Sequence, residues 1–389
     1  MIALLTRLIG RLPVGWLQLT HSKGRLFAAL AGVAFADVLV LVQLGILGAL
    51  NSTIIQGYEM FEADIMISAN DANTMTEGSN VPRQYLFEAL ADPDVVDGTT
   101  LFIGFRDWLH NNNDRSLQVF GVDTEKSGFL RPDLAAQIAP LRLADYAILD
   151  RMTRGFTAEE AAAVRPQTPM IFELEGRTVT VVDTFEGGVG FAADGYMFAS
   201  DQTFLRLFPN RSTGAPNHVL LRTARGADAE AVAARLQERI GDQMRVRTFD
   251  AAAQEDLSYQ TTERPTGIIF GFGVVIGIMV GIVIVYQVLA TDVADHLKEY
   301  ATFKAMGYSQ GFFLGIVLEE ALVLAVLGFI PGVVIALLLY AGMEAMTALP
   351  MSLTITTAVA VLIGTIVACA LSGAVATRRL ASADPADLF

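Results

Sequence analysis

Four long apolar stretches interrupt a chain whose remaining residues mix polar and apolar positions at strand and helix spacing. Crossing a bilayer takes roughly 20 apolar residues, and four segments reach that length: 26–50, 267–290, 312–340 and 354–377. The first holds one charge, Asp37, the third holds Glu319 and Glu320, and the other two hold none. The first stretch is too long, and lies too far from residue 1, to read as a cleavable signal. The predicted fold class is therefore a membrane protein with four transmembrane α-helices, one plus three. A large α+β extracytoplasmic domain is inserted between helices 1 and 2, at 51–265.

Within the insert, 63–69 alternates as a strand does, and 83–90 has helical spacing that stops at Asp92-Pro93. Segments 117–122, 178–182, 218–222 and 244–249 read as strands. An amphipathic helix over 228–240 carries Val232, Leu236 and Ile240 on one face. Strand–helix–strand order at both ends predicts a ferredoxin-like unit made of 63–122 and 216–250. The Gly- and Pro-richer 123–215 reads as a β-rich second lobe.

Charge sharpens this division. Residues 52–265 carry 32 acidic and 19 basic side chains, against 9 and 8 in the rest of the chain. The net charge of −14, with no basic cluster interleaved with aromatics, excludes nucleic acid as a partner. Bases gather beside three of the spans: Arg7, Arg11, Lys23 and Arg25; Lys298 and Lys304; Arg378 and Arg379. The short loop 341–353 has none. Positive flanks mark the cytoplasmic side, so both termini are expected in the cytoplasm and the acidic insert outside it. Residues 1–25 form an N-terminal amphipathic segment, read as an interfacial helix or as a frayed tail, with Pro13 and Gly15 breaking its second half.

No catalytic constellation is present. Asp92/Asp94 and Glu159/Glu160 sit in turn or helix-start contexts that favour caps and solvated faces. Gly187-Gly188-Val-Gly190 reads as a flexible turn and lacks the strand–loop–helix setting of a phosphate loop. No Walker A sequence occurs, four scattered histidines make no metal spacing, and the single cysteine, Cys369, excludes an internal disulfide.

In the membrane part, Gly273, Gly277 and Gly281 make a smooth stripe on span two. Gly364, Ala368 and Ser372 do so on span four. Such stripes let backbones approach closely, within one chain or between two copies. Asp37 lies about 18 Å into span one at helical rise, where a carboxylate costs about 2.5–3.5 kcal/mol. It must bond within the bundle or serve an ion or proton path. Adjacent residues diverge by about 100° around a helix, so at most one of Glu319 and Glu320 is expected to face the bundle centre. The loop 291–311 reads as a short amphipathic helix over 292–307, ended by Gly307 in the left-handed region. Its apolar side needs a soluble partner's groove or the membrane surface.

These residues resemble a known family. The one-plus-three layout, with Glu299-Tyr-Ala-Thr-Phe-Lys-Ala-Met-Gly-Tyr-Ser309, Leu318-Glu-Glu-Ala321 and Gly328, is similar to the MacB/FtsX-type permeases of ABC transporters. Gly32-Val-Ala-Phe-Ala-Asp-Val-Leu39 with Gln43-Leu-Gly45, and Ala383-Asp-Pro-Ala-Asp-Leu388, resemble the DevC subfamily. The resemblance implies a non-catalytic, homodimeric permease in a bacterial inner membrane, with 378–389 as a cytoplasmic tail. It implies no cofactor of its own, ATP being bound by a separate cytoplasmic ABC ATPase. It further implies a periplasmic adaptor and an outer-membrane channel as partners. Leu297, Lys298, Glu299, Tyr300, Phe303, Lys304, Met306 and Gly307 would form the coupling helix, and 63–122 plus 216–250 a porter-like lobe. The implied activity is export of glycolipid or other envelope cargo. The alternative is regulation of an envelope hydrolase or extraction of lipoproteins.

Overall fold

The computed structural model describes residues 14–295, 302 and 306–376. Readings placed on 1–13, on Leu297 to Tyr300, on Phe303 and Lys304, and on 378–389 lie outside the described residues. The chain divides into two compact units. One comprises 1–48, 269–343 and 351–389; the other comprises 49–268 and 344–350.

Among the described residues, four helices are long and apolar enough to cross a membrane: Lys23–Glu59, Pro265–Asp295, Gln310–Thr347 and Ile355–Ala376. They are spans one to four. A helix satisfies every backbone polar group internally, as a lipid surround requires. Spans one and three outrun their apolar stretches, because the polar residues that follow keep bonding along the helix. The loop expected over 341–353 is thereby shortened, beginning at Ala348 with φ +56°. In the first unit, Val33, Leu289, Phe313, Val317, Leu324 and Cys369 pack together. Leu41, Ala336 and Val361 form a second cluster.

The N-terminal segment departs from expectation. Val14–His21 is helical straight through Gly15. Gly15 serves close approach: a Cβ there would lie 2.8 Å from Glu320 Cγ and 3.0 Å from the Ile316 carbonyl. Leu19 is buried in the bundle.

The second unit holds one nine-stranded sheet. Its strands are β1 (Ile65–Ala69), β2 (Val95–His110), β3 (Asn113–Val122), β4 (Tyr146–Asp150), β5 (Met170–Leu174), β6 (Arg177–Phe185), β7 (Gly195–Ser200), β8 (His218–Thr223) and β9 (Met244–Thr248). Their order is β5-β6-β4-β7-β3-β2-β8-β1-β9. The run β2-β8-β1-β9, all antiparallel, with helices Gln84–Ala89 and Ala229–Ile240 as its crossovers, is the ferredoxin-like unit built from both ends of the insert. The 123–215 segment is not a lobe with its own sheet. Its strand β7 pairs in parallel with β3, from Leu117↔Gly195 to Val122↔Ser200, and so extends the same sheet.

Both faces of the sheet are covered. Phe102, Trp108, Val119, Leu149 and Met197 enter one cluster. Their strand neighbours Ile103, Phe120, Ile148 and Phe198 enter another. The second cluster includes Phe249 and Ala252 of the helix Phe249–Thr262, whose N-cap Thr248 accepts from Ala251 N–H. The sequence reading ended a strand at 249 and placed nothing there.

Candidate functional site

The loop between spans two and three is described only at its ends. The Met306 N–H donates to the Thr302 carbonyl at 3.1 Å, a helical i→i−4 bond. Gly307 follows with φ +92°, the left-handed stop its position predicts. Met306 and Tyr308 are exposed. On the other side, Arg25 of span one pairs with Asp295 at 3.1 Å.

The two small-residue stripes have different surroundings. On span two, a Cβ at Gly273 would lie 2.6 Å from Gln43 Cδ, at Gly277 3.3 Å from Val40 Cγ2, and at Gly281 3.1 Å from Ala36 Cβ. That stripe is used within the chain, to seat span one. On span four, Ser372 is buried with its hydroxyl 3.4 Å from the Ile282 carbonyl, Ala368 is half-buried, and Gly364 is exposed with nothing within 4 Å of its Cβ position.

Asp37 is 3% exposed. The Thr365 hydroxyl donates to its Oδ1 at 2.5 Å, and Gly332 of span three leaves room for its Cβ at 3.0 Å. The in-bundle hydrogen bond is thus present, and its donor is a residue the sequence reading passed over. A threonine in the middle of span four was the available signal, since such hydroxyls bond across helices.

Glu319 and Glu320 are both buried. The cause is the helix Val14–His21, which covers a second face of span three. Gly15 lies over Glu320, and the Trp16 N–H donates to Glu319 Oε1 at 3.3 Å. Trp16 belongs to the first turn of that helix, where N–H groups lack intrahelical acceptors and a carboxylate is favoured.

In the inserted unit, the paired acids are structural. Arg235 bridges Asp92 at 3.1 Å and Asp94 at 2.6 Å. Hydrogen bonding from Arg235 holds the Asp92 carboxyl below its usual range. Glu160 completes a capping box with Thr157. The Gly187–Gly190 turn is held rather than loose: fully buried Asp150 accepts from the N–H groups of Gly187 at 3.0 Å and Met152 at 2.9 Å. Arg154 gathers the neighbouring backbone. It donates to Asp194 Oδ1 at 2.9 Å, the Gly190 carbonyl at 3.2 Å and the Thr347 carbonyl at 2.7 Å. The segment 344–350 after span three therefore packs with the insert. Among the described residues, no cluster of three His, Cys, Asp or Glu side chains could hold a metal ion.

Burial pushes the Asp150 carboxyl up to about 7. An acid whose pKa is raised on folding stabilises fully below its unfolded pKa of 3.8 and loses that contribution as pH rises through about 7. Asp150→Asn keeps the acceptor for both backbone N–H groups and removes the titration. Thermal unfolding of the full chain from pH 4 to 7 should therefore decline less steeply in Asp150→Asn than in wild type. Parallel declines would show that Asp150 does not titrate in this window.

Residues 271–385 match the family model described as FtsX-like permease C-terminal. No curated protein matches the chain. Among solved structures, the extracellular domain of the noncanonic ABC-type transporter YknZ from Gram-positive bacteria is similar at 10% identity and TM-score 0.34. That match covers 48% of this chain and 98% of that one. The periplasmic region of MacB from Actinobacillus actinomycetemcomitans is similar at 11% identity and TM-score 0.33, covering 52% and 96%.

Proposed function

We propose, from the premise that residues 271–385 make this chain an FtsX-like permease, that it is the transmembrane subunit of an ATP-driven tripartite export system. ATP is bound and hydrolysed by a separate cytoplasmic ABC ATPase. The loop 292–307 docks in a groove of that ATPase, two copies of the permease assemble, and both termini are cytoplasmic. The inserted domain lies in the periplasm of a bacterial cell and engages an adaptor that leads to an outer-membrane channel. The cargo is a glycolipid or other envelope material.

The family match over the membrane part is the observation that carries this reading. Two features support a mechanical role. Span one is a single helix, Lys23–Glu59, with residues in both units. The segment 344–350, which follows span three, is tied to the insert through Arg154. Movement of either span therefore changes the backbone to which the insert is attached.

Affinity purification of the tagged full-length chain from its own membranes tests the proposal. We expect an ABC ATPase and a periplasmic adaptor to co-elute. Elution of neither would refute the tripartite reading. Elution of the ATPase with an envelope hydrolase in place of the adaptor would redirect it.

A further inference from the structure

We propose that the inserted domain holds a binding site for a small uncharged molecule with adjacent hydroxyl groups, about the size of one sugar ring. The site is a cavity of about 300 Å³, at the lower end of the range for small-molecule pockets. All its lining residues, from Leu50 to Thr266, belong to the second unit. Its floor is the sheet. Gln118 of β3 and Tyr196 of β7 are register partners in a parallel pair, so their side chains stand together on one face. Phe120, two residues on from Gln118, packs in the apolar cluster of that face. A glutamine placed there gives up its water, and a buried polar group is expected to find a replacement partner. Gln118 and Tyr196 are 5% and 4% exposed, and neither side chain has a hydrogen-bond partner among the described residues. Both line the cavity, and their polar atoms keep accessible surface there. The fold therefore aims two adjacent donor–acceptor groups into a chamber and uses neither for itself.

The walls select the class of ligand. Gly190 keeps the space open, since a Cβ there would lie 3.2 Å from the Tyr196 hydroxyl. Burial pushes that hydroxyl up to about 12, so it stays protonated and can both donate and accept. The Gln118 amide offers both as well. Thr74 and Thr76 add hydroxyls to the lining, 3.4 Å apart. Ligand hydroxyls match such a lining, because each of them also donates and accepts. An anion is disfavoured. Asp256 and Glu77 bring carboxylates to the cavity, and Arg264, the cation among its lining residues, pairs with Glu77. Asp256 is already engaged: it accepts from the Tyr58 hydroxyl at 3.0 Å, the Met75 N–H at 2.8 Å and the Gln260 amide at 2.6 Å. Leu50, Ile54 and Ala192 supply apolar surface for the carbons of a ring. Glu77 and Phe191 are exposed and mark the mouth. The site stands on the inserted domain alone, so it holds or fails separately from the tripartite reading.

Saturation-transfer NMR titrations of the full-length chain in lauryldimethylamine oxide, a detergent without a sugar, test this. The probes are the methyl glycosides of glucose, galactose and mannose, with myo-inositol and the anion glucuronate. At least one uncharged probe should bind. Glucuronate should bind at least about fivefold more weakly than the best of them, because it brings like charge to the carboxylates. Gln118→Leu and Tyr196→Phe conserve shape and should each weaken the best probe about fivefold, the worth of one neutral hydrogen bond. Neither should lower the unfolding temperature without ligand, because neither group has a bond to lose, and Gln118→Leu should raise it. Gly57→Leu grows from a lining position whose Cβ meets only Met75 Sδ, at 3.9 Å, and should abolish binding by filling the cavity. If Gly57→Leu does not fold, the two shape-conserving variants decide. Failure of every uncharged probe to bind wild type overturns the proposal and leaves the cavity to water. Unchanged binding in both Gln118→Leu and Tyr196→Phe overturns it too, as does glucuronate binding as tightly as the best uncharged probe. A fall in the unfolding temperature of both variants would assign the two groups to the fold instead.

Discussion

Gly45→Leu should prevent the helical bundle from assembling. A Cβ at Gly45 would stand 2.6 Å from Cε1 of the Tyr340 ring. The ring cannot retreat without loss, because its hydroxyl donates to the Leu41 carbonyl and Tyr340 is buried. Overpacking of this kind costs about 1–3 kcal/mol, and more where a rigid aromatic opposes the new atoms. Gly48→Leu is the control, one turn further along the same helix, where a Cβ meets nothing within 4 Å. We expect the Gly45 variant to lose its monodisperse elution in detergent or to unfold at a much lower temperature, with the Gly48 variant close to wild type. Adding Tyr340→Ala to Gly45→Leu should destabilise by less than the sum of the two single changes, since the residues share one space. Additive effects would show that the glycine is not there for Tyr340.

Gly45 and Tyr340 illustrate what the sequence could and could not convey. The four spans were legible because about 20 consecutive apolar residues have few other uses. The small stripe on span two was legible as a packing surface, but its target was not. Glycines spaced by four are equally suited to an intrachain helix or to a second copy, and only coordinates place Ala36, Val40 and Gln43 against them. The burial of both Glu319 and Glu320 was not legible, because the periodicity of one helix says nothing of a second helix covering its other side. Thr365 was overlooked because its role depends on Asp37, 328 positions away.

In the insert, three of the four ferredoxin-like strands, β1, β8 and β9, were legible as short runs rich in β-branched and apolar residues, and the 229–240 helix from the spacing of its one buried face. The centre was not. Strands β4 and β7, Tyr-Ala-Ile-Leu-Asp and Gly-Tyr-Met-Phe-Ala-Ser, are buried on both faces and so show no alternation. Strand β2 was hidden by Gly98 and Gly104 and by charges at Asp97 and Asp107, which mimic turn chemistry. The helix Phe249–Thr262 has apolar residues without a clear stripe, and its burial rests on Phe249, Ala252 and Ala253.

The loop 292–307 carries the claim on which the functional reading depends. Its sequence reads as a short amphipathic helix carrying Tyr300 and Phe303 between two spans, and Gly307 has φ +92°. Aromatic anchors seated in a partner's groove are commonly worth 2 kcal/mol or more, roughly a thirtyfold change in affinity. A carboxylate in that groove adds a desolvation penalty. Tyr300→Asp and Phe303→Asp should each leave the permease folded and inserted while disconnecting it from ATP hydrolysis. The direct measurement is the ATPase activity of the partner subunit in proteoliposomes containing wild-type permease, Tyr300→Asp or Phe303→Asp. The account predicts that wild-type permease changes the hydrolysis rate and that both variants leave it at the rate of the ATPase alone. Variants that alter hydrolysis as fully as wild type would contradict it.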